Sequence, residues 1–200
     1  MRILITAILG VVLLVGCATS RPSMTRDEFL STTQRAYDDV SEREFYAAAE
    51  RLFTLSDGKD TSFAYPGEHA MLVQRDWSMY MVLAYGQGTH HWRIETSSTE
   101  GGLKGTVYAS MESTAVSGAP TGGGGAAAVT TPMAGSMVNE PALYELFWAR
   151  MDYLLGKSED WPTCEDWKAK VRDGDTYGII EPLCLAMNTD DEVPNGAPEG

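Results

Sequence analysis

From Glu42 to about Leu55 the apolar residues fall at helical spacing. Phe45, Ala48, Ala49, Leu52 and Phe53 share one face, and Arg43, Glu44, Glu50 and Arg51 lie mostly opposite. Ser41 with Glu44 frames a capping box at its start, and Thr25 with Glu28 frames another upstream. Phe29, Leu30, Ala36, Tyr37 and Val40 form a weaker stripe. The segment from Arg26 to Val40 is therefore expected as a short packed helix or as part of an arm.

Past Ser56-Asp57-Gly58-Lys59-Asp60 the period shortens to two. Ser62 to Tyr65 is a strand candidate that ends at Pro66-Gly67. Residues 69–85 form a long apolar and aromatic stretch, with Asp76 expected as a bulge or turn that splits it. Gly86-Gln87-Gly88 reads as a hairpin. His90, Trp92, Ile94 and Thr96 then alternate with His91, Arg93, Glu95 and Ser97, the cleanest half-buried strand in the chain. Thr99-Glu100-Gly101-Gly102 turns again, and Leu103 to Met111 is a further strand. Turns this short require antiparallel neighbours.

Residues 113–139 carry one glycine run, Gly122 to Gly125, then three alanines, and no charge until Glu140. Composition of this kind predicts a flexible insertion. A phosphate cradle would need a following GK[ST] or a Rossmann spacing, and neither is present. Helical spacing returns at Pro141, where Leu143, Leu146, Phe147, Arg150, Met151, Leu154 and Leu155 form a stripe widened by Tyr144 and Trp148. Gly156 ends it. A short helix is expected from Cys164 to Val171, then loop-like chain over 173–187. An acidic, Pro/Gly-rich tail over 188–200 is expected to be disordered.

Composition narrows the chemistry. The three histidines do not form a metal motif: His90 and His91 point to opposite faces of one strand, and His69 follows Glu68 without an HExxH spacing. No G-x-S-x-G elbow and no EF-hand loop occur. No catalytic, cofactor or metal residues are assigned. The aromatic group Trp77, Tyr80, Tyr85, Trp92 and Tyr108 falls on consecutive strands, and some of its members are expected to line a partner surface.

The start of the chain carries a different signal. Arg2 precedes the apolar run Ile3 to Val15, 13 residues long, and Leu14-Val15-Gly16-Cys17 follows. A spanning helix needs about 20 residues, so the run reads as a signal segment. The tetrad resembles the lipobox of bacterial lipoproteins, with an aliphatic residue, a tolerant position, a small residue and then cysteine. That resemblance implies removal of residues 1–16, lipid on Cys17, and a tether over 17–24. Proteins of this type carry several acyl chains, which holds them where one chain alone would hold only marginally. Ala18 rather than aspartate after the cysteine implies, by analogy, the outer membrane, with the domain most readily placed on the periplasmic side.

After such a leader 184 residues remain, enough for one domain. Arg2 is the sole charge removed, which leaves 14 basic against 28 acidic side chains. An acidic chain disfavours nucleic acid and anionic lipid head groups, and fits solubility or a cationic partner. With Cys17 taken by lipid, Cys164 and Cys184 form an even pair in an oxidising compartment, the pattern of a disulfide. A reactive or metal-binding thiol is the alternative.

The expected architecture is a single α+β domain over 25–187: an antiparallel meander of three to five strands against two or three helices. Its order is similar to the helix-grip domains of the lipoprotein accessory subunit of the outer-membrane barrel-assembly machine. The Gly-rich insertion and the cysteine-bearing C-terminal part depart from that pattern. Three functions remain open: a non-enzymatic envelope interaction module, a carrier with an apolar cleft between sheet and helices, and a hydrolase whose site is assembled from distant residues.

Overall fold

The computed structural model describes residues 24–57, 60–81, 84–120 and 126–184. The leader, Cys17 and the tail over 188–200 lie outside the described residues. In chain order the elements are α1 (Arg26–Thr32), β1 (Gln34–Asp38), α2 (Glu42–Asp57), β2 (Thr61–Gly67), β3 (Ala70–Met81), β4 (Ala84–Thr99), β5 (Gly102–Pro120), β6 (Ala126–Met137), α3 (Pro141–Leu154), α4 (Cys164–Asp173) and α5 (Glu181–Cys184). The class is α+β, with one antiparallel six-stranded sheet.

Strands β2 to β6 run as a meander, and β1 joins them beside β5. β4 occupies one edge of β5 from Gly102 to Ser117. The other edge is shared: Gln34–Asp38 pair with Gly102–Thr106, and β6 pairs from Ser110 onward. Where β1 ends and β6 has not begun, other groups satisfy the β5 backbone. Val107 N donates to Thr33 O at 2.9 Å. Ala109 N donates to the Tyr144 hydroxyl at 3.2 Å, which donates in turn to Val138 O at 2.6 Å. One buried phenol from α3 thus closes the seam.

Both capping boxes form. Thr25 N reaches Glu28 Oε2 at 2.7 Å, and Ser41 N reaches Glu44 Oε2 at 2.8 Å, with the reciprocal backbone bonds at 3.3 Å. The α2 stripe is buried as its spacing predicts, and so is the α3 stripe from Leu143 to Leu154. These helices meet Met71 and Val73 of β3, Trp92 and Ile94 of β4, and Leu103, Val107 and Ala109 of β5. Phe53 lies 5.1 Å from Trp92, and Phe147 stacks on Trp92 at 5.8 Å, between ring centroids. Gly105 admits this packing: a Cβ there would stand 2.5 Å from the Phe45 ring.

Several local expectations are corrected. The segment from Arg26 to Val40 is a one-sided helix followed by strand β1. Only Tyr37 of β1 is buried, and Tyr37 Oη and Arg35 Nη2 tie it to Asp152 of α3 at 3.0 and 2.7 Å. Asp76 does not split β3, whose pairing with β4 is unbroken from Ala70 to Met81. Gly86-Gln87-Gly88 is not a turn but lies inside β4. Its glycines give room to the Trp77 indole, whose ring atoms would lie 2.8 Å from a Cβ at Gly88. Much of the expected insertion over 113–139 is strand, because β5 continues to Pro120 and β6 returns antiparallel to it. Backbone pairing extends a ladder already set by β4 and needs no particular side chains. The loop-like stretch before Cys184 contains the short helix α5.

Candidate functional site

Alternation assigns each strand residue to one of two faces. Toward the helices point Met71, Val73, Arg75 and Trp77 of β3, and His90, Trp92, Ile94 and Thr96 of β4, matched across the register by Leu103 to Met111 of β5. α2 and α3 do not cover the opposite face, and α1 meets it where Phe29 stacks on Tyr108. Leu72, Gln74, Asp76 and Ser78 point there, as do Tyr85, Gln87, Thr89, His91 and Arg93, and Tyr108, Ser110, Glu112 and Thr114.

This open face is concave in two adjoining places. One groove, about 390 Å³, is lined by Ala64, Leu72, His91, Arg93, Tyr108 and Met137, among others. It is the more apolar of the two, and Met137 and Leu72 are 51% and 37% exposed. The second, about 920 Å³, continues along the same three strands and is lined by Asp60, Asp76, Tyr85, Gln87, Thr89 and Glu112, among others. Asp76 accepts from the Thr89 hydroxyl at 2.8 Å, and Tyr85 donates to Gln87 Oε1 at 3.0 Å. His91 Nε2 stands 4.0 Å from Glu112 where the two grooves meet. Arg93 is held by Glu95, Nε to Oε1 at 2.6 Å.

The five aromatics expected to form a surface separate. Tyr85 and Tyr108 are on the open face, and Tyr108 stacks on Phe29 of α1 at 6.2 Å. Trp92 is core at 1% exposure, which removes it from any partner surface. Trp77 has the helix-side phase of β3 and stacks on His90 at 5.9 Å, yet it is also among the residues that line the larger groove. Tyr80 sits in β3 opposite Tyr85, and its side chain lies outside the described set. Sequence reasoning missed Leu72, Met137, Asp60, Asp76 and Glu112. The signal for Leu72 and Asp76 was their shared even phase in β3.

The histidines do not converge. His90 is buried, and that burial, with the Arg75 guanidinium nearby, pushes its imidazole down to about 4. Its Nδ1 and the Nε1 atoms of Trp77 and Trp92 have no hydrogen-bond partner among the described residues. His69 Nδ1 pairs with Glu42 Oε1 at 2.8 Å on the surface, and the hydrogen bond to Glu42 raises the pKa of His69. Among the described residues no group of three His, Cys, Asp or Glu side chains converges on a metal position. No helix among them is long and apolar enough to cross a membrane.

The cysteine pair is a disulfide: Cys164 and Cys184 are bonded, with Cα atoms 5.9 Å apart. It fastens α5 to α4, and two buried arginines engage the same short helix. Arg150 donates to Leu183 O at 3.0 Å and to Pro162 O at 3.2 Å, and stands over the Trp161 ring at 4.7 Å. Arg75 donates to Pro182 O at 3.4 Å. Each guanidinium thereby satisfies a backbone carbonyl of this single turn. Arg150, which breaks the apolar stripe of α3, is therefore a structural clamp.

Comparison with family models, with curated proteins and with solved structures returns no match. The site therefore rests on this chain's own geometry.

Proposed function

We propose that this chain is a lipid-tethered, non-enzymatic binding module of the bacterial envelope, held at the outer membrane on the periplasmic side, and that it meets an envelope protein through the open face of its sheet. The observation that carries this reading is the asymmetry of the sheet. One face is filled by α2 and α3, and the rings of Phe53, Trp92 and Phe147 occupy the space an internal ligand would need. The other presents two contiguous grooves with exposed apolar side chains. Contiguous exposed apolar surface with a polar surround is what association sites offer. The anchoring half rests on the Leu14-Val15-Gly16-Cys17 pattern after its apolar run.

Each half has its own test. Metabolic labelling with a clickable fatty acid should mark the wild-type chain and leave Cys17→Ala unlabelled and unprocessed. Normal maturation of that variant would refute the anchor. For the face, a photo-crosslinking amino acid at Leu72 or Met137 should give a discrete adduct in cells, with none from Leu55 or Glu145 on the helices. Adducts from the helical positions alone would assign contact to the wrong face.

A further inference from the structure

The open face differs from end to end, and that difference specifies what would lie on it. At one end Ala64, Leu72, Tyr108 and Met137 offer apolar surface. At the other, Asp60, Asp76 and Glu112 contribute carboxylates, and no lysine or arginine is among the residues described as lining that groove. Arg93, in the apolar half, has Glu95 as its counter-ion. The whole chain carries a formal charge of −13. Asp76 accepts from Thr89 and Glu112 stands 4.0 Å from His91, and a cation entering this concavity would meet carboxylates from three separate segments.

We infer that the trough receives an extended polypeptide segment of the partner, with an apolar side chain at one position and a lysine or arginine four residues along. This rests on the reading of the open face as the binding surface. The spacing comes from the register. The row through Leu72, Arg93 and Tyr108 and the row through Asp76, Thr89 and Glu112 are four residues apart on the same strands. At about 3.3 Å per residue that is roughly 13 Å. An extended peptide lying along the strands shows the same face at every second residue, so its fourth residue returns to the trough.

The test uses the full-length chain in neutral detergent and a fluorescein-labelled ten-residue peptide of alternating threonines, with Leu and Lys four apart. Fluorescence anisotropy should show binding at least tenfold tighter than that of the same peptide with Glu for Lys. Raising salt from 50 to 500 mM should weaken it several-fold. The Asp76→Asn, Glu112→Gln double variant, which keeps the hydrogen-bonding shape, should erase most of the preference for Lys. Equal binding of the Lys and Glu peptides, or an unchanged preference in the double variant, overturns the inference. So does tighter binding of a chitin oligosaccharide than of the Lys peptide, which would assign the trough to a glycan. If crosslinks from Leu72 and Met137 persist while the Lys preference fails, the inference falls and the binding face stands.

Discussion

His90 is the residue whose surroundings most alter its chemistry. Its imidazole stays neutral down to about 4, whereas in the unfolded chain it takes a proton near the ordinary histidine value. Between those two pH values the unfolded state binds the extra proton, so stability falls as pH is lowered from 7 toward 4. The slope from this one group is at most about 1.4 kcal/mol per pH unit. Urea unfolding at pH 7.0 and 5.0 should therefore show a smaller loss for His90→Gln than for the wild type. An equal loss in both would show that His90 is not the group responsible. Gly105 makes a second residue-scale prediction. A methyl there would stand 2.5 Å from Phe45 and 3.3 Å from Trp148, both buried rings. Gly105→Ala should destabilise the fold by about 1–3 kcal/mol, measured as a lowered urea midpoint at unchanged slope.

At the scale of elements, the disulfide and the two arginines hold α5 together. Cys164 and Cys184 close a loop of sequence separation 20, which in the chain-entropy model contributes about 3 kcal/mol. Intact mass should show two hydrogens fewer than the reduced chain, and reduction should lower the melting temperature by several degrees; unchanged melting would mean that the loop is held without the bridge. Elements with a clear apolar period were legible in the sequence: α2, the strand through His90, Trp92 and Ile94, and α3, whose stripe widens until ten of its side chains are buried. β1 was not, because it is five residues long with a single buried side chain. β6 was not, because its small residues lack alternation and its partner is recruited by backbone hydrogen bonds. Gly86 and Gly88 misled for a related reason. A glycine that makes room for an indole looks the same in sequence as one that turns the chain.

At the scale of the molecule, the sheet is covered on one side and grooved on the other, and the proposed anchor would set that sheet near a membrane surface. The candidate face was half legible. Tyr85 and Tyr108 were marked by their strands, but the phase of one strand against the next is fixed only by pairing, so Trp92 was grouped with residues it does not join. The carboxylates beside Tyr85 come from three separate segments and meet only in the folded sheet. Hydroxyl-radical footprinting compares the two faces within one sample. In native membranes the oxidation rate of Met137 should fall at least threefold relative to the purified chain in detergent, while that of Leu55 on α2 stays the same. Met137 reacting equally fast in both preparations would contradict an occupied open face.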